Sequence, residues 1–180
     1  LTSISKICFN QPAASTAKEI VITIVRKDLW KLRANQNIDF FNSNKEVLSA
    51  KQYDQTKKYY TKAIPLVYKD FYGILSFSKF IFAYLVGIFK VMYRQLRSSD
   101  TRIVAHKSAA LASQNFMISM SGFGYDTCPM EGFDSLKLKN LLRLNKKSEI
   151  NMVIGCGIRS KEGVYGKRFR IPFEEVYFRK

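Results

Sequence analysis

Residues 126–134, Asp-Thr-Cys-Pro-Met-Glu-Gly-Phe-Asp, are where the chain's residue types most suggest chemistry. Pro129 fixes its own φ and removes its own amide donor. Gly132 has no side chain, so a ligand or another stretch of backbone can come close. A Pro-x-Glu-Gly turn ahead of a helix capped by Asp134 leaves the Glu131 and Gly132 amides free to point at a ligand. Main-chain donors converging on one atom stabilise developing negative charge. The spacing alone also fits a plain helix–helix connection. A second group is Arg168-Phe169-Arg170, followed by Ile171-Pro172. In an extended segment alternate residues share a side. Arg168 and Arg170 could then grip one phosphate, to which the guanidinium fork is matched. Such a pair in a basic chain is also consistent with a solvated surface.

These groups need elements to position them. Ile20 to Val25 is an unbroken apolar run, Ile-Val-Ile-Thr-Ile-Val, which predicts a strand buried on both faces. Asp28 offers an N-cap for a helix through Leu32, with Leu29 and Trp30 on its apolar side. Residues 35–45 are rich in Asn and read as a loop. Residues 46–63 suit a surface helix, interrupted by Pro65. Residues 71–93 are the most apolar stretch, with Lys79 and Lys90 their only charges. Their length approaches the ~20 residues of a membrane span, yet Gly73, Ser76, Ser78 and Lys79 dilute the first third. A helix lying on a membrane surface, or one covering another subunit or the core, are the other readings.

Residues 101–121 predict a second long helix, capped by Asp100 or Thr101 and ended by Gly122 and Gly124. Asp134 caps a third, 135–142. Asn151 to Ile158 reads as a second strand, and the tail from Lys167 to Phe178 as a further strand or an arm. The order of strand, helices, strand and tail predicts an α+β (α/β layered) architecture with helices in excess. No linker divides it, so 1–180 is expected to be one domain, with 65–98 an apolar helical excursion. Leu1 in place of Met is read as a sign that upstream sequence has been lost.

With 180 residues, 47% hydrophobic and 24% charged, the chain is ordinary for a globular protein. The formal charge of +16 is not ordinary. It suits nucleic acid, an anionic membrane surface or a phosphorylated ligand, or a generally basic surface. Cys8, Cys128 and Cys156 are far apart, and His106 is the only histidine, so a structural zinc site lacks ligands. The odd, scattered cysteines favour a reducing cytoplasm. Cys156 reads as a buried filler and His106 as a structural residue.

Taken together, helix, Gly-x-Gly-Tyr-Asp-Thr-Cys-Pro-Met-Glu-Gly-Phe-Asp, short helix, a strand ending Ile-Gly-Cys-Gly and Arg-x-Arg-x-Pro-x-Glu-Glu-Val resemble the C-terminal half of nitroreductase family proteins. The resemblance covers roughly residues 101–177. Leu1 to Arg26 also resembles the segment after that family's cofactor loop, with Gln11-Pro12-Ala13-Ala14 leading into the Ile20 strand. The resemblance implies a nitroreductase-like fold with a central sheet flanked by long helices. It implies an FMN cofactor and NAD(P)H as co-substrate. Pro129, Met130, Glu131 and Gly132 would line the flavin ring, and Arg168 and Arg170 would bind its phosphate. It implies a homodimer with flavin sites at the subunit boundary, and residues 71–93 packed over the partner or the substrate channel.

The implied activity passes hydride from NAD(P)H through flavin to nitro, quinone or similar acceptors. No catalytic side chain or metal is demanded, and neither nucleic acid nor membrane is an expected partner. The family's Arg-containing phosphate motif and its Ser/Asn-rich loop ending Gln-Pro-Trp are not found; Gln11-Pro12 is followed by Ala13 and sits before the first strand. The alternative class is a basic nucleic-acid-binding or membrane-surface module without enzymatic activity.

Overall fold

Glu149–Gly157, the last strand in the chain, is the middle strand in space. The computed structural model describes residues 2–164 and 166–179. In order, its elements are α1 (Thr2–Ile7), α2 (Pro12–Thr16), β1 (Glu19–Val25), α3 (Trp30–Ser43), α4 (Ala50–Lys58), α5 (Ile64–Tyr68) and α6 (Ile74–Val86). They continue as α7 (Ser98–Gly122), β2 (Asp126–Met130), α8 (Ser135–Leu141), β3 (Glu149–Gly157) and α9 (Phe173–Val176). The sheet order is β1-β3-β2, antiparallel throughout. This is the expected α+β arrangement.

The register of β1 on β3 slips once. Thr23 faces Met152 and Ile24 faces Ile150, so Asn151 is the extra residue of a bulge. The bulge reverses which side chains face which layer. Ile150 and Val153, three residues apart, join one core with Cys8, Ala14, Met130 and Leu138. That core lies between the sheet and α1, α2 and α8. Asn151 instead meets α7, its Nδ2 donating to the His106 carbonyl at 3.3 Å and lying 3.2 Å from His106 Nδ1.

The contacts of α7 with the sheet include a polar ladder. Thr23 Oγ1 and Ser113 Oγ are 2.7 Å apart. His106 Nε2 lies 3.1 Å from Glu149 Oε2, and Arg102 binds the same carboxylate oxygen. His106 thus ties α7 to β3 through Glu149 and Asn151, in a polar setting and not among the apolar residues its sequence neighbours suggest. Burial pushes the Glu149 carboxyl up, but the hydrogen bonds from His106 and Arg102 outweigh it and hold the group below its ordinary value. A carboxylate depressed in the fold stabilises fully above its unfolded value, about 4.3, and loses that contribution as pH falls through the lower folded value. Glu149→Gln should therefore flatten the acid limb of a plot of melting temperature against pH. Superimposable acid limbs for parent and mutant would rule this out.

Several elements differ from the sequence-based expectation. The strand at Ile20–Val25 forms, but at a sheet edge: only Val25 is buried and Ile24 is exposed. With three strands, β1 has one neighbour, and helices cover it incompletely. The Asn-rich residues 35–45 are largely helical, because α3 runs on to Ser43. Asn37 Nδ2 donates back to the Arg33 carbonyl and Asn44 Nδ2 to that of Phe40, each at 2.7 Å. Side chains that could compete with a helix here donate to its own preceding turn. Asp28 caps nothing; it pairs with Arg26 at 2.9 Å.

Pro65 does not end the helical run. A π turn, Tyr59–Ala63, precedes α5, and Pro65 sits in the first turn of that new helix, where its missing amide costs little. α7 begins earlier than expected, with Asp100 Oδ2 accepting from the Arg97 amide at 3.1 Å. The described tail forms no strand. Beyond Gly157 it is irregular until Pro172 starts the single turn of α9. Gly124 does take the left-handed conformation, φ 82°, that turns the chain out of α7.

Candidate functional site

The expected turn at Pro129 is part strand and part turn. Pro129 and Met130 end β2, paired with Ile154 and Val153. A proline is tolerated there because β2 is an edge strand of this sheet. The turn proper is Glu131 to Asp134, and Asp134 caps α8 as predicted, its Oδ1 accepting from the Lys137 amide at 3.0 Å. The Glu131 and Gly132 amides make no turn, loop or capping hydrogen bond among the described residues. The Met130 side chain is 3% exposed and belongs to the core.

Alternation along β2 places Cys128 on the same face as Met130, opposite Gly155. Here the sheet is open, and a cavity of about 650 Å³ lies between α2, the start of β2, the end of β3 and the following tail. Gly155 and Gly157 of β3 are packed by residues 13–18 of α2 and the segment after it. A Cβ on Gly155 would stand 2.9 Å from the Ala13 carbonyl oxygen, so only glycine lets α2 pack this close to β3. Lys18, Arg159 and Arg168 bring positive charge to the walls. Arg159 is engaged by Asp126, whose Oδ2 accepts the Arg159 amide at 3.2 Å. Lys18 and Arg168 have no carboxylate partner among the described residues.

Of the six residues singled out from the sequence, Arg168 lines this cavity and Arg170 does not. Arg170 is exposed and donates to the Phe169 carbonyl at 2.8 Å. The bend residues Pro129, Glu131 and Gly132 lie beyond the far end of the cavity wall. What links them is Gln11, which lines the cavity and also donates through Nε2 to the Gly132 carbonyl at 2.7 Å.

The sequence reading had no role for Gln11-Pro12 in the site, because the pair precedes the first strand. The fold brings the pair back. Phe9 and Asn10 both adopt left-handed backbone, φ 56° and 54°, and turn the chain sharply from α1 into α2. For a phenylalanine that conformation is strained. The Asp134 amide donating to the Ile7 carbonyl at 3.0 Å holds the two segments together. Consecutive left-handed non-glycine residues carry no clear sequence signal, although Asn10 is a common host.

The three thiols are in distinct settings. Cys8 is fully buried, which pushes its thiol up, and Cys156 is 7% exposed. Cys128 is exposed in the cavity wall. A thiol reagent should therefore modify one cysteine rapidly under native conditions. Cys128→Ser should remove that fast phase; its persistence would mean that Cys8 or Cys156 is the accessible thiol, and its absence from the parent that the cavity is closed to solvent.

A three-stranded sheet with a long helix on one side, short helices on the other and a basic, glycine-floored cavity at the strand ends is a nitroreductase-like α+β fold. The crystal structure of the provisionally named nitroreductase ydfN from Bacillus subtilis superposes with a TM-score of 0.68 at 20% identity, covering 99% of this chain and 72% of that one. A provisionally named nitroreductase from Exiguobacterium sibiricum, solved in complex with FMN, gives 0.64 at 15% identity, covering 99% and 70%. The Nitroreductase family model matches residues 7–158, and the chain belongs to that family. MhqN of Bacillus subtilis, provisionally named an NAD(P)H nitroreductase, is 35% identical over 71 residues, which are 39% of this chain. The match spans about a third, 34%, of the length of MhqN.

Proposed function

We propose that this chain forms the flavin-binding part of an FMN-dependent oxidoreductase that takes electrons from NAD(P)H. The observation that carries this reading is the cavity that brings Arg168 and Lys18 together beside Cys128 and the end of β3. Its volume lies within the usual range for small-molecule and cofactor sites. Its cations suit a phosphate monoester. The FMN in the Exiguobacterium protein supports the same reading by family membership.

Arg168 and Lys18 would hold the phosphate. Gln11 would fix the bend, so that the Glu131 and Gly132 amides point at the electron-accepting edge of the ring. The bound cofactor supplies two-electron transfer between NAD(P)H and a nitro, quinone or similar acceptor. The chain's own work is positioning and electrostatics, so no acid–base side chain is required of it. We also propose a homodimer. α7 leaves Ile103, Leu111 and Ile118 exposed, spaced by eight and seven residues along one side of the helix, as a seam for a second copy.

The test is direct. The purified chain, incubated with FMN and desalted, should retain a flavin absorbance spectrum that bleaches on adding NADH or NADPH under nitrogen. A protein that stays colourless at micromolar FMN would overturn the assignment.

A further inference from the structure

α6 is built inside out for a helix of a water-soluble surface. Its buried residues are small, Ser76 and Ala83, seven apart on one side. Its large apolar residues point the other way. Ile74, Phe77, Ile81, Phe82 and Leu85 are each 43–64% exposed, and at 3.6 residues per turn they fall on one half of the helix. The turn that follows extends the same surface with Ile88, Phe89 and Val91, Phe89 being 86% exposed. Of the polar side chains on this side, Ser78 donates its hydroxyl to the Ile74 carbonyl at 3.1 Å, and Tyr84, 57% exposed, stands at the margin. The patch is apolar apart from that margin, and contiguous apolar surface of this extent marks an interaction site.

A collar of cations rings it. Lys69, Lys90, Arg94 and Arg97 are exposed around the two ends of α6. Asp70, the one acidic residue between 69 and 97, is occupied by the Phe71 and Ser76 amides at 2.9 and 3.0 Å. Arg97 places its guanidinium over Phe80 at 4.1 Å and Arg94 over Tyr84 at 6.0 Å; Arg94 also donates to the Gly87 carbonyl and Arg97 pairs with Asp100 at 3.9 Å, which leaves Lys69 and Lys90 as the charges of the collar without such partners among the described residues. A second copy docked face to face on α6 would bring Lys69 and Lys90 against their own counterparts, whereas the seam proposed for a homodimer lies on α7. An anionic lipid surface complements both the apolar face and the collar. No helix among the described residues is long and apolar enough to cross a membrane, so the geometry is that of a helix lying in the surface.

We infer that α6 and the turn through Val91 seat this protein on anionic phospholipid membranes. This goes beyond the family's redox chemistry and does not rest on the flavin assignment. It also departs from the expectation that residues 71–93 pack over a partner subunit and that no membrane is involved.

The full chain is sedimented with vesicles of phosphatidylcholine containing phosphatidylglycerol, and with phosphatidylcholine vesicles alone. The parent should bind the anionic vesicles, and binding should weaken as salt rises. The triple substitution Ile81→Asp, Phe82→Asp and Leu85→Asp, all at exposed positions, should lower binding by roughly tenfold or more. Lys69→Glu with Lys90→Glu should remove the preference for anionic lipid while leaving the apolar face intact. Unchanged thermal melting and FMN uptake would show that both variants are folded; the milder pair Phe82→Ser and Phe89→Ser substitutes if the triple variant is not. Failure of the parent to bind anionic vesicles, or equal binding by the variants, would overturn the inference. So would sedimentation velocity in which the triple substitution turns a dimer into a monomer while neither form binds vesicles, since the face would then belong to a second copy.

Discussion

Arg168→Ala should weaken FMN binding by roughly 10- to 100-fold, while Arg170→Ala should leave it near the parental value. The contrast follows from placement. Arg168 lines the cavity beside Cys128 and Gly155, and Arg170 is exposed and turned to the Phe169 carbonyl. A charge-assisted hydrogen bond contributes about 1.5–3 kcal/mol, and about 1.4 kcal/mol is a factor of ten in affinity. Lys18 shares the cavity, so some phosphate affinity should survive the loss of Arg168. Fluorescence titration of FMN against parent and both mutants gives the answer. Equal losses for the two arginines would show that the tail closes over the ligand in a way that brings Arg170 inward. No loss for either would remove the phosphate from this cavity.

Leu138→Ala should destabilise the fold by about 3 kcal/mol, within the range for emptying a buried leucine site. For a chain of this size that is a fall in melting temperature of roughly 6–12 °C. Leu138 is fully buried and joins α8 to Val153 of the central strand and to Met130 beneath the bend. The same mutation should therefore weaken flavin binding as well, because Met130 loses its support next to Glu131 and Gly132. Leu136→Ala is the control, on the same helix but 67% exposed, and should stay within about 0.5 kcal/mol of the parent. Chemical denaturation of the three proteins separates the cases. A Leu138→Ala midpoint equal to that of Leu136→Ala would mean that the α8 side of the sheet is not a packed core.

Local patterns in the sequence carried much of the architecture. The β-branched run of β1, the apolar run of β3, the Asp134 cap and the long α7 ending near Gly124 all follow from propensity and short-range hydrogen bonding, which a linear reading captures. So does the bend at Glu131 and Gly132, because Pro129 fixes its own φ just before it, Gly132 permits a turn and Asp134 caps the helix just after. The misreadings are equally physical. Asparagines in α3 satisfied themselves on the preceding turn, and Pro65 fell where a π turn had already reset the hydrogen-bond pattern.

The make-up of the cavity was not legible in the same way. Gln11 is separated from Gly132 by 121 positions, and only the antiparallel pairing of β1 and β2 with the later β3 makes them neighbours. Which of two arginines in one extended segment turns inward is likewise a question of how the tail lies across α2 and β3. The single-residue bulge at Asn151 decides which strand side chains meet the core and which meet α7. The amino-acid sequence by itself determined the elements, the bend and the basic, apolar character of the α6 region, because these rest on interactions within a few residues. Only the tertiary structure decided which residues share the cavity and which face of α6 is left uncovered, because those depend on contacts whose partners lie far apart along the chain.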